Sequence, residues 1–210
     1  MRRAPLLLLP LLAACGHVER PHGTQVAAGP SRHDTQQCYV DLNTMGVRFS
    51  PLADHDYGNG CALRGTVQLV DIGVPVTGIR AVRCGEARAF AGWVRNAVVP
   101  AAYQMLGSEL ARVDTMGSYA CRNVVGTAHG DRRSGHAQAN AIDVGGFVLK
   151  DGRRVTVLNG WRAADPQEQA FLRTVRASAC RRFGTVLSPD YNAAHQNHLH
   201  LEDDHAGFCR

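Results

Sequence analysis

The sequence lacks several features that would assign it to a common class of protein. No two cysteines have the CxxC spacing of a zinc ribbon, so we expect no structural zinc site built from cysteines. No apolar run is long enough to span a bilayer as a permanent helix. The formal net charge is only +5, and Arg2 and Arg3 carry two of the positive charges, so we expect no nucleic acid partner. The apolar content of 45% is that of a folded chain, and 210 residues suit one domain of ordinary size.

The N-terminus has the pattern of an export signal. Two arginines precede the apolar run Leu6 to Leu12, so residues 1–15 are predicted to be a secretory signal peptide. The run ends Leu12-Ala13-Ala14-Cys15, which resembles a bacterial lipobox and implies cleavage before Cys15 with lipid attached there. The alternative is ordinary cleavage near Ala14. We therefore expect an exported, lipid-anchored protein of the cell envelope, in the periplasm or at the outer membrane.

The mature chain divides into a tether and a domain. Residues 16–37 are polar, contain proline and glycine and show no hydrophobic period, which predicts a flexible tether. Residues 38–210 then form the domain. Six cysteines remain there, and an even count in an exported chain predicts disulfides, whose pairing the sequence cannot fix. One hypothesis joins Cys121 to Cys180.

Hydrophobic periodicity predicts a mixed α+β domain. Two strands are predicted over 65–70 and 112–116, and a helix over 86–106 with Trp93 in its buried face and Pro100 kinking or ending it. Asp151-Gly152 between the apolar runs 141–149 and 153–158 predicts an antiparallel hairpin. Asp165 should cap a second helix, which Gly184 should end. Residues 123–133 are rich in glycine and charge and are predicted to form a loop.

Two stretches carry candidate metal ligands. The first, 134–143, contains His136 and Asp143; the second contains His195, His198 and His200. Side chains alternate along a strand, so Asp143 and His200 should leave the face opposite their apolar neighbours, and both could reach one metal ion. Zinc takes neutral imidazole nitrogens and carboxylate oxygens. A His-x-His pair alone is more often a surface or core pair, so the argument rests on both stretches together.

These stretches together resemble a known pattern. Ser134-x-His136-x-x-Ala139-x-Ala141-x-Asp143 followed by His198-x-His200 is similar to the zinc peptidases of the D-Ala-D-Ala peptidase, lysostaphin and hedgehog group. The segments 117–122, 179–181 and 183–187 resemble the bacterial extensin-like C-terminal domain family, over roughly residues 38–202. The resemblance implies a small antiparallel sheet that carries the zinc ligands and is flanked by helices.

The resemblance also implies roles for individual residues. Zinc would be bound by His136, Asp143 and His200. His198 would act as acid/base or stabilise charge, and His195 would be a second histidine of the active site. Arg122 would hold a carbonyl or carboxylate of the substrate, a role that suits its planar, permanently charged fork. Ser134 would orient the metal loop.

The chain departs from the related pattern at two points. Ala139 stands where the motif usually has glycine. Several relatives place an acidic base shortly before the last ligand, but the residues there in this chain are Ala194, Gln196 and Asn197. The implied function is a zinc-dependent peptidase acting on D-alanine-containing bonds of peptidoglycan stem peptides or cross-links. The alternative is a non-catalytic lipoprotein that binds or scaffolds the cell wall. The oligomeric state is left open.

Overall fold

The computed structural model describes residues 29–126 and 132–210. The signal peptide predicted over 1–15, the lipid attachment at Cys15 and most of the predicted tether lie outside the described residues. Along the described ranges, no helix combines the length and apolar character needed to cross a membrane.

The helices of the described residues are five α-helices, a π-helical segment and two 3-10 turns. The α-helices are α1 (Arg32–Thr44), α2 (Cys84–Trp93), α3 (Val99–Leu106), α4 (Val157–Gly160) and α5 (Pro166–Ala179). The π-helical segment is Val94–Val98, and the 3-10 turns are Gly135–Gln138 and Ala193–His195.

Twelve short strands occur in the same ranges. They are β1 (Arg48–Pro51), β2 (His55–Gly58), β3 (Cys61–Leu63), β4 (Thr66–Asp71), β5 (Val76–Thr77), β6 (Val82–Arg83), β7 (Leu110–Gly117), β8 (Ala141–Leu149), β9 (Arg154–Thr156), β10 (Thr185–Leu187), β11 (Leu199–Glu202) and β12 (Phe208–Cys209). The predicted strands over 65–70, 112–116 and 141–149 are therefore confirmed as β4, β7 and β8.

A seven-stranded sheet forms the centre of the domain. Its order is β12-β10-β11-β8-β7-β5, with β9 also paired to β8; the smaller sheets are β1-β4-β6 and β2-β3. Most pairs are antiparallel, but β10 with β12 and β5 with β7 are parallel. The predicted α+β class is confirmed, and the sheet is larger and less uniformly antiparallel than expected.

The two faces of strand β8 carry different side chains, apolar ones on the core side and Asp143 on the opposite side. Ile142 and Val144 are fully buried on the core side, and a bulge in the pairing with β7 then shifts the buried positions to Phe147 and Leu149. The ring of Phe147 packs against Phe171 of α5 at a centroid distance of 5.3 Å. Helices therefore cover one face of β8, which leaves Asp143 on the other.

The helix predicted over 86–106 is present but interrupted. Trp93 is fully buried, as predicted, and its Nε1–H donates to the carbonyl of Val175 at 3.1 Å. The π-helical segment begins after Trp93, and the N–H of Val99 donates to the carbonyl of Val94. Pro100 lies in the first turn of α3, where its missing N–H is tolerated, so it does not end the helix.

The tether gives way to helix earlier than predicted. α1 begins at Arg32, so residues 32–37 are helical. Ser31 and Asp34 form a reciprocal capping box: the Ser31 hydroxyl accepts from the Asp34 N–H at 3.1 Å, and the Asp34 carboxylate accepts from the Ser31 N–H at 3.3 Å.

The second half of the hairpin and the last helix differ from their predicted ends. β9 stops at Thr156, because the Thr156 hydroxyl accepts from the Asn159 N–H and starts the short helix α4. Asp165 caps α5 as predicted, with Oδ1 accepting from the Gln167 N–H at 2.8 Å. The helix ends at Ala179 rather than at Gly184.

All six cysteines of the domain are paired, as predicted. The disulfides are Cys38–Cys84, Cys61–Cys121 and Cys180–Cys209. The hypothesis of a Cys121–Cys180 bridge is wrong. Cys121 lies against the β2–β3 hairpin, whereas the end of α5 lies beside β12 at the edge of the central sheet.

Candidate metal centre

Two of the predicted ligands come from neighbouring strands. Asp143 of β8 and His200 of β11 are register partners in an antiparallel pair. Side chains of directly opposed residues leave the same face of a sheet, so the strand spacing itself sets their separation. Nδ1 of His200 lies 3.0 Å from Oδ1 of Asp143.

His136 reaches the same point from the 3-10 turn before β8. Ser134 caps this turn, and its Oγ accepts from the N–H of His136 at 3.4 Å. Ala139 ends the turn with a φ of 52°, in the left-handed region that favours glycine, which is the residue of the related motif here. Nε2 of His136 lies 3.1 Å from Oδ2 of Asp143.

The three side chains offer one converging set of donor atoms. His136, Asp143 and His200 are all buried, and their candidate ligand atoms lie within 4.8 Å of one another. The two facing nitrogens, Nε2 of His136 and Nδ1 of His200, are 3.2 Å apart. No other group of three histidine, cysteine or acidic side chains in the described ranges comes together in this way.

The outer nitrogen of each imidazole faces an acceptor. Nδ1 of His136 is 3.0 Å from the carbonyl of Ser118, and Nε2 of His200 is 3.3 Å from the Glu202 carboxylate. An acceptor there favours an N–H on the outer nitrogen, so the inner nitrogen of a neutral ring carries a lone pair. Two imidazole nitrogens and a carboxylate that converge fit a zinc ion. The acceptor on the outer nitrogen of each imidazole would hold the ring in place, as is usual for histidine ligands.

Glycine at position 135 makes room for the carboxylate behind His200. A Cβ on Gly135 would overlap the side chain of Glu202. Because position 135 has no side chain, the Glu202 carboxylate has room to reach His200.

Without metal, the electrostatics of the cluster add one proton to this arrangement. Burial raises the pKa of Asp143, but hydrogen bonds and charge from His136 and His200 outweigh it and hold that pKa well below its usual range. Burial lowers the pKa of His200, but hydrogen bonds to Asp143 and Glu202 outweigh it and raise the pKa to about 9. Without metal, a proton therefore resides on His200 between the two carboxylates.

Two further predicted histidines surround the cluster. Nε2 of His198 lies 3.4 Å from Oδ1 of Asp143, and its Nδ1 lies 2.8 Å from the Asn197 side-chain oxygen. The ring of His195 lies 5.1 Å from that of His198, and its Nδ1 is 2.7 Å from Oδ1 of Asn192. Burial lowers the pKa of both histidines, that of His195 to about 4, so both are neutral at pH 7.

Arg122 lies at the edge of the cluster. Its guanidinium is 3.8 Å from Oδ2 of Asp143, and its side chain stays 38% exposed. The segment that carries it is clamped by the Cys61–Cys121 disulfide and pairs through Asn123 with Arg133. The structure thus brings all six predicted site residues together, while their chemical roles stay predictions. Residues 127–131 of the predicted loop lie outside the described residues.

A cleft of about 1260 Å³ opens beside the cluster. Arg122, His195 and His200 line it, together with Arg132 and the acidic segment 202–204. The cleft is large enough for several residues of a peptide, and its lining carries both arginines and carboxylates.

The sequence reasoning missed two partners of the metal ligands. Glu202 follows His200 by two residues on the same strand face, so strand alternation could have identified it. The carbonyl of Ser118, which holds His136, belongs to the backbone and leaves no signal in the residue types.

Comparison with known proteins bears on the whole domain. No curated protein and no solved structure matches the chain. Residues 36–210 match the family model described as extensin-like protein C-terminus, and this match covers most of the chain. The protein therefore belongs to that family.

Proposed function

We propose that this protein is a zinc-dependent peptidase of the bacterial cell wall, acting on D-alanine-containing bonds of peptidoglycan stem peptides or cross-links. One observation carries the proposal: the donor atoms of His136, Asp143 and His200 converge within 4.8 Å beside a large cleft. Three protein ligands suit a catalytic zinc, which keeps a further position open.

The residues around the ligands supply the remaining parts of a peptidase site. Zinc, when bound, would polarise the scissile carbonyl and activate water for attack on it. His198 would accept a proton at Nε2 during attack and return it to the leaving amine, because burial keeps its imidazole neutral. Glu202 cannot take that role while it accepts the outer N–H of His200. A histidine therefore replaces the acidic base of related peptidases.

Arg122 would position the substrate. Its only ion pair among the described residues is the long one with Asp143, and its exposed fork faces the cleft. A guanidinium in this place can hold a substrate carboxylate or carbonyl by two parallel hydrogen bonds. His195, neutral and packed against His198, would support the catalytic ring from behind.

The proposed location is the cell envelope, with a lipid anchor at Cys15 and peptidoglycan as the partner. Three disulfides support export, because such bonds persist in oxidising compartments. A lipid anchor would keep the domain close to the wall.

The test combines zinc content with release of stem-peptide fragments from purified peptidoglycan. Zinc-loaded wild type should release fragments, and His200→Ala should release none. Arg122→Ala should keep its zinc but show a higher KM for the substrate. Arg48→Ala, a change to an exposed arginine on β1 outside the cleft, is the matched control and should behave as wild type. If zinc-loaded wild type cleaves no peptidoglycan bond, the non-catalytic wall-binding function should replace this proposal.

A further inference from the structure

The turn that carries His136 is held in place by one distant residue, Arg83. The 3-10 turn Gly135–Gln138 ends at Ala139, whose φ of 52° lies in the left-handed region. The N–H of Arg83 donates to the Ala139 carbonyl at 2.7 Å, and its guanidinium donates to Oε1 of Gln138 at 2.9 Å. Two consecutive residues at the end of the turn are therefore fixed by the backbone and the side chain of the same arginine.

The backbone of Arg83 is itself anchored on both sides. Arg83 belongs to β6, and its register partner in β4 is Thr66. The next residue, Cys84, donates its N–H to the Gly65 carbonyl at 2.9 Å and forms the disulfide with Cys38. The side chain of Arg83 therefore starts from a fixed point of the fold.

The guanidinium of Arg83 lies among carboxylates, one of which supports the other histidine ligand. Burial lowers the pKa of Arg83, and the negative charges of Glu202, Asp203 and Glu86 act against burial. Glu202 is the acceptor that faces Nε2 of His200 at 3.3 Å. Nε of Arg83 is buried without a hydrogen-bond partner among the described residues, so the neighbouring negative charges help to offset the cost of burying this guanidinium.

The outer supports of the two histidine ligands lie against each other. Gly135, the first residue of the turn that carries His136, leaves no room for a side chain between itself and Glu202. A shift of the turn would therefore move His136 and disturb the carboxylate behind His200 at the same time. Arg83 bonds to the turn and supplies positive charge to the carboxylate, so it acts on both supports.

We propose that Arg83 is a positioning residue of the zinc centre, which holds the His136 turn and the Glu202 carboxylate at the spacing that the ion requires. Arg83 would act through the supports of the ligands and would not touch the ion. Residues that hold metal ligands from outside typically change metal affinity by about 10–100-fold when they are replaced. This inference rests on the proposed zinc site, but its test does not need peptidase activity.

Zinc dissociation constants of the purified protein, measured by competition with a chelator, test this role. Arg83→Gln removes the guanidinium and its charge but keeps the backbone bond to Ala139, and it should weaken zinc binding by about 10–100-fold. Arg83→Lys restores the charge and should recover part of the loss. The visible absorption spectrum of the cobalt-loaded protein reports ligand geometry. It should change in Arg83→Gln and return towards that of wild type in Arg83→Lys.

Two further variants separate positioning from stability. Arg95 is also partly buried, and its guanidinium donates to the carbonyls of Ile72 and Met45, outside the cleft. Arg95→Gln should lower the unfolding temperature without weakening zinc binding. Gln138→Ala removes only the acceptor of the Arg83 guanidinium and should weaken zinc binding less than Arg83→Gln does. The two changes together should be less than additive, because they break the same hydrogen bond.

The outcomes separate this inference from the proposed function. Wild-type zinc affinity in a folded Arg83→Gln variant overturns the positioning role, whether or not the protein cleaves peptidoglycan. Equal losses of zinc affinity in Arg83→Gln and Arg95→Gln also overturn it, because stability alone then sets the affinity. If Arg83→Gln does not fold, Gln138→Ala tests the same bond, and wild-type zinc affinity in that variant overturns the role.

Two results bear on both proposals. If zinc binding depends on Arg83 but wild type cleaves no peptidoglycan bond, the positioning role stands and only the peptidase proposal fails. A wild-type protein that binds no zinc overturns both. Thermal unfolding of each variant verifies that folding is intact.

Discussion

Nε2 of His136 and Nδ1 of His200 face each other at 3.2 Å. Each ring is held from outside, His136 by the Ser118 carbonyl and His200 by the Glu202 carboxylate. Two lone pairs at this distance repel each other unless a proton or a metal ion lies between them. Zinc binding, as proposed, would replace that proton.

Metal analysis of the ligand variants tests the centre directly. The purified domain should bind about one zinc ion, as expected for three protein ligands and an open position. His136→Ala, Asp143→Ala and His200→Ala should each lose it, because two ligands hold zinc poorly. His198→Ala should retain it as the matched histidine change. Full zinc occupancy in all three ligand variants would show the assignment to be wrong.

Zinc affinity should depend on pH through His200. Burial lowers the pKa of this imidazole, but its bonds to Asp143 and Glu202 outweigh burial and raise the pKa to about 9 in the metal-free protein. Zinc must displace that proton, so affinity should rise about tenfold for each unit between pH 6 and pH 9, then level off.

Competition with a chelator at several pH values measures this dependence. Glu202→Gln removes one carboxylate that raises the pKa of His200, so its curve should level off at lower pH. An affinity that stays constant between pH 6 and pH 8 would contradict the assigned proton.

His198→Ala should separate metal binding from catalysis. The imidazole lies beside Asp143 without belonging to the converging donor set. Its loss should lower the rate of peptide release by about 10²–10⁴-fold, the usual contribution of a general acid or base. Zinc content should not change. His55→Ala, on the exposed β2 strand, is the control. Equal rates for wild type and His198→Ala would exclude a catalytic role.

Glu86→Gln should stabilise the protein at neutral and alkaline pH. Burial first, and then the charges of Asp203 and Glu202, raise the pKa of Glu86, so the folded state holds it uncharged. Its contribution to stability is full below the unfolded pKa and is lost as pH rises through the folded pKa. The amide of the Glu86→Gln variant does not titrate, so the variant does not lose this stability as the pH rises.

Urea unfolding at pH 4 and pH 8 measures the difference for Glu86→Gln. The variant should gain over wild type mainly at pH 8. Glu109→Gln, an exposed residue paired with Lys150, should show no such gain. A gain of equal size at both pH values would indicate better packing rather than a removed charge.

The Cys180–Cys209 disulfide should stabilise the edge of the sheet. It joins the end of α5 to β12, whose pairing with β10 completes the central sheet. The double change Cys180→Ser/Cys209→Ser should lower the free energy of unfolding by on the order of 2–5 kcal/mol. Hydrogen exchange should then increase at residues 208–210 before the cluster of His136, Asp143 and His200 is affected. Thiol titration of unfolded, unreduced wild type should detect no free cysteine in the domain.

Local patterns in the sequence predicted the centre of the fold well. The alternation around Asp143 and His200 put both predicted ligands on one face, because the rule acts between neighbouring residues. The apolar run before Asp151-Gly152 gave β8 its observed bounds. The Asp165 cap was equally local. Pairings between distant segments were not predictable: Cys180 meets Cys209 only because β12 folds back in parallel beside β10. The sheet size and the partner of Cys121 were missed for the same reason.

The register pairing of Asp143 with His200 has a consequence for the order of events in the cell. Backbone hydrogen bonds and a core of apolar side chains hold these two ligands opposite each other, and three disulfides close the surrounding segments. A zinc finger needs its ion to fold, whereas the contacts that hold these two side chains involve no metal. We therefore expect folding and the proposed zinc binding to be separable steps, with zinc bound by the folded domain.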